Sequence, residues 1–336
     1  MKAIVLHEHG GFDALSLEPD WPDPVPADDE VVVKVRACAL NYHDLFTLRG
    51  MPGIKVPMPI IMGLDIAGEI ERIGSGVIGW AVGDRVLVDP FDVKKGKLIG
   101  EMMNGGLAQY CAVGAHTLLR LADDTPFDAA AALPVAYGTA YRMMVTRGRI
   151  GAGEKVLVLG ASGGVGTCCI QLAKLAGAHV IAAASSSEKL EKLARLGADE
   201  GIDYKTDDFM AVVHRRFGKP RVWGAGGVDV VVNFTGGDTW VPSLRALAKG
   251  GRLLTCGATA GFDPRTDLRF VWTFELNVLG SNGWEREDLH SLLALIEQRK
   301  LTPSIGGRFG LADTAAALGL LEERQVVGKL IIDPWA

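Results

Sequence analysis

The chain has 336 residues, 48% of them hydrophobic and 22% charged, enough apolar side chain for about two domain cores and too much for a disordered chain. Its 35 basic and 40 acidic residues give a net charge of −5, and without a basic run neither nucleic acid nor an anionic membrane suits it as a main partner. The five cysteines, Cys38, Cys111, Cys168, Cys169 and Cys256, have no Cys-x-x-Cys spacing, which argues against a disulfide framework or a cysteine zinc cluster. The amino terminus, MKAIVLHEHGG, reads as a strand and a turn rather than a leader, and no apolar run reaches the ~18 residues of a membrane span. A reduced, soluble, cytoplasmic protein is expected.

Strand patterns come first. Lys2–Leu6 and Glu30–Ala37 read as strands, separated by a connection holding Pro19, Pro22, Pro24 and Pro26, where a regular element would lose backbone donors. Ile66–Ile73 and Arg85–Val88 continue the pattern between glycine turns, so the first hundred residues are expected to be all β with irregular loops. Near Pro126 the texture changes. Ala129–Leu133 and Thr139–Arg147 look helical. Strands Lys155–Gly160, His179–Ala184, Val228–Phe234 and Gly251–Cys256 then alternate with helical stretches Val165–Ala176, Ser187–Leu196 and Trp240–Leu247, the order of an α/β parallel sheet covered by helices on both faces. Helices over Asp288–Arg299 and Asp313–Arg324 and a strand Val327–Ile332 close the chain.

Glycine is in excess: 43 residues, nearly twice the usual share of about 7%. The run that matters follows the apolar strand Val156–Leu159: Gly160-Ala161-Ser162-Gly163-Gly164-Val165-Gly166, leading straight into a helix. Strand, glycine turn and helix together make a pyrophosphate cradle. Gly163 lets the phosphates approach the backbone, Gly166 lets the helix pack on the strand, and the helix amino end offers free N–H groups and a positive dipole. Ala161 stands where the first glycine of the strict G-x-G-x-x-G pattern belongs.

The next strand ends in Ala184-Ser185-Ser186-Ser187-Glu188-Lys189. An NAD site carries an acidic residue at that tip to accept the ribose 2′-OH, and Ala184 takes the place. Three hydroxyls and an ammonium suit a 2′-phosphate instead, which favours NADP(H). Ser187-Glu188 is also a reasonable cap for the helix that follows.

Taken together, Ala37–Gly50 (ACALNYHDLFTLRG), Pro59–Val77, Gly83–Val86, Gly105–Val113, Tyr137–Met144, Val158–Gly166, Gly197–Asp199 with Asp203-Tyr204, and Gly328–Ile332 resemble the medium-chain dehydrogenase/reductase superfamily, in its zinc-free quinone oxidoreductase-like branch. The resemblance implies a GroES-like catalytic domain over 1–125, a Rossmann domain over 126–270 with the nucleotide in a cleft between the two, and a carboxyl-terminal segment, 271–336, that finishes the sheet and returns to the first domain. It implies Asn41 at the nicotinamide ribose and Thr139 near the ring. Ser162, Gly163, Gly164, Val165 and Gly166 would meet the pyrophosphate, and Ser185, Ser186, Lys189 and Tyr204 the 2′-phosphate. Thr235, Gly257 and Lys329 would line the nicotinamide side, and a homodimer is the family's expected assembly.

Zinc-dependent members carry a Cys where this chain has Asn41 and Gly-His-Glu where it has Gly63-Leu64-Asp65. A leucine donates no lone pair and an asparagine is a poor zinc ligand. The stretch Val86–Gly105, which in those relatives holds a second zinc, contains no cysteine. No metal is therefore expected; His43, Asp44, Asp65 and Cys38 are the leftover donors, and His43 reads as a cleft or packing residue. Without a Lewis acid an alkoxide is hard to stabilise. A conjugated acceptor needs mainly alignment and a few hydrogen bonds. The expectation is an NADPH-dependent reductase of a small electrophile, a quinone or an α,β-unsaturated carbonyl, with Asn41, Tyr42 and Asp44 at the catalytic face. A zinc alcohol dehydrogenase with displaced ligands and a non-catalytic NADP(H)-binding redox sensor are the alternatives.

Overall fold

In the computed structural model, which describes residues 1–336, the chain divides into two units: Met1–Ala136 with Leu289–Ala336, and Tyr137–Asp288. The first opens with β1 (Ala3–Leu6), β2 (Leu15–Glu18), β3 (Glu30–Ala39), α1 (Tyr42–Arg49), β4 (Ile60–Ile61) and β5 (Asp65–Ile73). It continues through β6 (Arg85–Val88), a small hairpin of β7 (Phe91–Asp92) and β8 (Lys97–Leu98), then β9 (Tyr110–Gly114), β10 (Leu118–Arg120) and α2 (Phe127–Ala131). The second unit contains α3 (Thr139–Tyr141), β11 (Lys155–Val158), α4 (Gly164–Leu175), β12 (His179–Ala184), α5 (Ser187–Arg195) and β13 (Glu200–Asp203). Beyond these come α6 (Phe209–Phe217), β14 (Val228–Val232), α7 (Trp240–Ala246), β15 (Leu247–Thr255), α8 (Leu268–Thr273) and β16 (Asn277–Gly280). Helix α9 (Arg286–Glu297) crosses the dividing point, and β17 (Ile305–Gly310), α10 (Thr314–Glu322) and β18 (Lys329–Asp333) return to the first unit.

The first unit is built on a seven-stranded sheet in the order β10-β6-β5-β3-β18-β17, with β9 also paired to β3. Its β-branched inward positions, Val31, Val33, Val35, Ile66, Ile70, Val86 and Val88, form the core with Leu45 and Leu48 of α1, the pattern that half-buried strands require. Register decides the site. Ala39 at the end of β3 lies opposite Asp65 at the start of β5 and opposite Ile331 of β18. Asn41, Asp65 and Lys329 are thereby delivered to one place from segments as far apart as the chain's two ends.

The second unit is one parallel sheet in the order β13-β12-β11-β14-β15-β16. That is the doubly wound 3-2-1-4-5-6 arrangement, whose ligand edge lies at the carboxyl ends of the strands. Leu157, Ile181, Val231 and Leu253 fill one face under α6 and α7. Runs apolar on both faces suit a sheet with helices on each side.

The expected breaks at 125/126 and 270/271 stand beside a division into compact units at 136/137 and 288/289: α2 packs on β3 and β5 and stays with the first unit, and β16, inside the expected segment 271–336, finishes the second unit's sheet. The first hundred residues are not all β: α1 stands among them. Its buried positions are Asp44, Leu45, Thr47 and Leu48, half of them polar, so it has no apolar stripe to betray it. Strands β13, β16 and β17 and helices α6 and α8 also went unread. Edge strands such as Glu200–Asp203 and Asn277–Gly280 bury little, and only Ile202 among their eight residues is buried.

Candidate active site

At the ligand edge of the second unit, β11 runs into a turn that only glycine takes easily. Gly160 has φ +65°, in the left-handed region. Gly163 then acts as the N-cap of α4 and offers no side chain. The N–H groups of Gly164, Val165 and Gly166 in the first turn therefore have no intrahelical acceptor and face outward with the positive end of the helix dipole. A Cβ on Gly163 would have only Gly160 O within 4 Å, at 3.7 Å, whereas one on Gly166 would lie 2.5 Å from Gly160 O and 2.6 Å from Ala161 Cα. Gly166 is thus a packing glycine and Gly163 an open one. The turn with Ser162 and the uncapped helix form a cradle that fits a pyrophosphate.

The neighbouring strand brings the other expected groups together. Lys189 Nζ donates to Ser185 Oγ at 3.0 Å, Lys189 N–H donates to Ser186 Oγ at 3.3 Å, and Tyr204 N–H donates to Ala184 O at 3.1 Å. Ser186, not Ser187, is the N-cap of α5, because its hydroxyl reaches the N–H three residues on. The side chain of Tyr204 stays 42% exposed. A hydroxyl, an ammonium and an exposed phenol at a strand tip without a carboxylate fit a 2′-phosphate.

Further along the edge, Asn233 Oδ1 accepts the N–H groups of Thr235 (2.9 Å) and Gly236 (3.0 Å), and Thr235 Oγ1 would lie 3.7 Å from a Cβ on Gly160. Gly257 O accepts Thr255 Oγ1 at 3.0 Å. An open cavity of about 610 Å³ past the ends of β15 and β16 is lined by Gly257, Cys256, Ser281, Asn282, Arg142 and Arg147, among others. Burial pushes the Cys256 thiol up to about 12, so it is no nucleophile at neutral pH. Thr139 is buried at the start of α3.

In the first unit the register described above produces a closed cluster. Lys329 Nζ donates to Asn41 Oδ1 at 2.5 Å and to Asp65 Oδ2 at 3.1 Å. Asn41 Nδ2 donates to Asp65 Oδ2 at 2.9 Å, and Asp65 Oδ1 accepts Val135 N–H at 3.0 Å. Lys329 is 3% exposed and Asp65 not at all. Burial pushes the Asp65 carboxyl up, opposed by Lys329 and by the hydrogen bonds from Asn41 and Val135. Asp65 was visible in the sequence only as a leftover donor, and Val135 not at all. No pattern within a strand signals a partner 264 positions away.

Zinc does not fit here. Leu64 gives no donor, Asn41 is engaged on both sides, and Asp65 already holds an ammonium, which repels a second cation. No three His, Cys, Asp or Glu side chains converge elsewhere as a metal site. In the hairpin of β7 and β8 a carboxylate does the organising. Buried Asp92 accepts the N–H groups of Lys94 and Lys95, each at 3.0 Å, and lies 2.8 Å from His116 Nε2.

Tyr42 stacks edge-on against Phe46 with centroids 5.6 Å apart. Asp44 is fully enclosed, and its Oδ2 accepts Asn41 N–H at 2.7 Å, half of a capping box. Its Oδ1 has no partner. Burial pushes this carboxyl up to about 6 from 3.8, with Asp65 adding to the effect while the Asn41 N–H, His43 and Lys329 oppose it. The folded state therefore holds the Asp44 proton more tightly than the unfolded one. The destabilisation is absent below about pH 4, grows from 4 to 6 and is complete above, at about 3 kcal/mol. Asp44→Asn abolishes this titration. In denaturant unfolding the variant should gain on the wild type by about 3 kcal/mol between pH 4 and pH 8; a difference constant with pH would contradict the assignment.

Comparison with known proteins agrees with this geometry. The family pattern described as "Alcohol dehydrogenase GroES-like domain" matches residues 27–123, and "Zinc-binding dehydrogenase" matches 164–298. The chain is 31% identical to the acryloyl-coenzyme A reductase of Sulfurisphaera tokodaii, over 99% of this chain and 100% of that protein. It is 30% identical to the quinone oxidoreductase of Lama guanicoe (99% and 97% covered) and 33% identical to the chloroplastic NADPH-dependent alkenal/one oxidoreductase of Arabidopsis thaliana (99% and 80%). Among solved structures, an NAD-dependent alcohol dehydrogenase superposes with a TM-score of 0.90 at 34% identity, covering 99% of both chains. A relative above 30% identity matched along its whole length, two family patterns in the expected order and the doubly wound second unit lead to one conclusion: the chain belongs to the medium-chain dehydrogenase/reductase superfamily, in its quinone oxidoreductase-like branch.

Proposed function

We propose that this protein is an NADPH-dependent reductase that passes hydride to a conjugated acceptor, a quinone, an enal or enone, or an enoyl thioester, without a metal. The observation that carries this reading is the ammonium of Lys329 bonded to Asn41 and Asp65, where zinc-dependent relatives converge their ligands. The pattern named for zinc binding covers residues 164–298 and so does not reach Asn41, Leu64 or Asp65. Oxidation of a simple alcohol, which the alcohol dehydrogenase likeness suggests, would lack a Lewis acid for the alkoxide. A conjugated acceptor spreads the incoming charge to a distant oxygen and makes no such demand.

NADPH, when bound, supplies the hydride. The chain's own residues have separate tasks. Gly163, Gly164, Val165 and Gly166, with Ser162, bind the pyrophosphate through N–H groups and the helix dipole. Ser185, Ser186, Lys189 and Tyr204 hold the 2′-phosphate. Thr139, Thr235 and Gly257 line the nicotinamide side. Asn41 is the first unit's candidate for the nicotinamide ribose, its amide kept in orientation by Lys329 and Asp65. Asp44, enclosed and bonded to the Asn41 backbone, is a positioning residue. The relatives named for quinone, alkenal/one and acryloyl-coenzyme A reduction support the acceptor class.

The protein is also proposed to be a homodimer. Strand β16 is the edge of its sheet, with Val278 43% exposed and Trp272 of the preceding helix 66% exposed. An unpaired apolar edge invites pairing with a second copy about a two-fold axis. Light scattering on the eluting protein should give twice the chain mass, and a monomer at micromolar concentration would rule the pairing out.

Two further outcomes are expected. NADPH consumption screened across quinones, enones and enoyl thioesters should show turnover that survives exhaustive chelation; activity lost with stoichiometric zinc would overturn the metal-free reading. Lys189→Ala should lower the preference for NADPH over NADH about tenfold or more, the worth of one hydrogen bond to a charged group. A ratio that does not move in binding titrations would remove Lys189 from the phosphate site.

A further inference from the structure

Protonation of the reduced acceptor needs an acid, and nothing above supplies one. Tyr42 carries a phenol with no activating partner, and Asp44 is sealed from any ligand. His43 is different. It lies two residues past Asn41 at the start of α1, so the Lys329 cluster that fixes Asn41 also fixes the helix end from which the imidazole projects. Its Nε2 sits 2.5 Å from Oε2 of Glu101, a carboxylate whose side chain is 3% exposed and which arrives from the loop after β8. The imidazole itself keeps 29% of its surface open, and its Nδ1 is engaged by no other group of the chain. Phe46 stands edge-on to the ring at 6.1 Å and to Tyr42 at 5.6 Å, so an apolar side chain borders the imidazole.

The charges around the ring favour the imidazolium. Glu101 faces it from the β8 loop, Asp44 from its own helix and Asp65 from β5; Lys329 of β18 is held on Asp65 and Asn41. Burial works against the charged ring, yet the carboxylates prevail and His43 is raised above its ordinary value. A buried carboxylate on one nitrogen and a partly exposed ring make an oriented acid that solvent can recharge.

We propose that His43, oriented by Glu101, is the catalytic acid that gives the acceptor its proton, an inference that rests on the reductase reading above. Hydride adds to the β-carbon of the conjugated acceptor, and the π pair moves to form an enolate. The Nδ1–H bond of the imidazolium breaks, its proton bonds to the α-carbon, and the ring is left neutral with Nε2–H still donating to Glu101. Solvent restores the lost proton. The nicotinamide is oxidised by two electrons and the carbon–carbon double bond is reduced by two. Glu101 acts through His43 and is a positioning residue. Protonation at carbon is slow without an acid, whereas a hydroquinone oxygen takes its proton from water readily, so the dependence on His43 should differ between acceptors.

The test compares an enone with a quinone across pH, using wild type, His43→Gln and Glu101→Gln at full NADPH saturation, each checked for wild-type thermal unfolding. His43→Gln should lower enone turnover about 100-fold relative to quinone turnover and abolish the alkaline fall in enone kcat. Glu101→Gln should keep that fall but move it to lower pH, since the imidazolium loses its partner; a merely structural Glu101 would not shift it. If wild type turns over enones and His43→Gln keeps the ratio within twofold with the same alkaline fall, the proposal is wrong and the reductase reading stands. Should His43→Gln fail to fold, an unshifted Glu101→Gln profile would overturn the proposal by itself. Wild type that oxidises NADPH with no acceptor would sink the reductase reading, and with it this one.

Discussion

The contact on which the first unit turns is the buried bond of Lys329 to Asp65 and Asn41. Taking an ammonium and a carboxylate out of water costs several kcal/mol per ion unless the geometry and the remaining hydrogen bonds compensate. Here the compensation is nearly complete: Asp65 receives Lys329, Asn41 and Val135, and Asn41 is held from both ends of its amide. Buried ion pairs of this kind generally contribute little to stability beyond what apolar side chains would give. The members of this cluster meet through the pairing of Ala39 on β3 with Asp65 on β5 and with Ile331 on β18.

That constraint passes into chemistry through α1. With Asn41 pinned, the helix start cannot shift, and Asp44, His43 and Phe46 inherit fixed positions. The same ammonium occupies Asn41 Oδ1 and Asp65 Oδ2 together, so one side chain both orders the cluster and takes up its oxygen donors. The hairpin at Phe91–Leu98 tells a parallel story. There the buried carboxylate of Asp92 gathers two backbone N–H groups and His116 in a lobe with no cysteine.

In the second unit the logic is that of the backbone. The parallel sheet sets the loops after its six strands along one edge, and the loop after β11 leaves a helix amino end uncapped by any side chain. The tip of β12 carries Ala184 rather than an acid, with Lys189 folded back onto Ser185. Gly163 and Gly166 sit three residues apart and do unrelated work, one leaving room for a ligand and the other for the chain itself.

Much of this was legible in the linear chain. Alternating apolar runs and glycine turns announced the β-rich start and the α/β alternation, because strand period, helix period and left-handed turns are short-range properties of neighbouring residues. The glycine turn before α4 and the Ser185–Lys189 cluster at the tip of β12 were readable for the same reason: each lies within one strand–turn–helix segment. Helix α1, the edge strands β13 and β16 and the exact break between the units were not, because their stability comes from what they pack against. Least visible of all were Lys329 on Asp65 and Glu101 on His43, pairs separated by 264 and 58 positions. Local sequence determined which groups the chain possesses and the turns that expose them. Only the tertiary register decided which charges meet in the dark interior, because a buried ion chooses its partner by distance in space and not by distance along the chain.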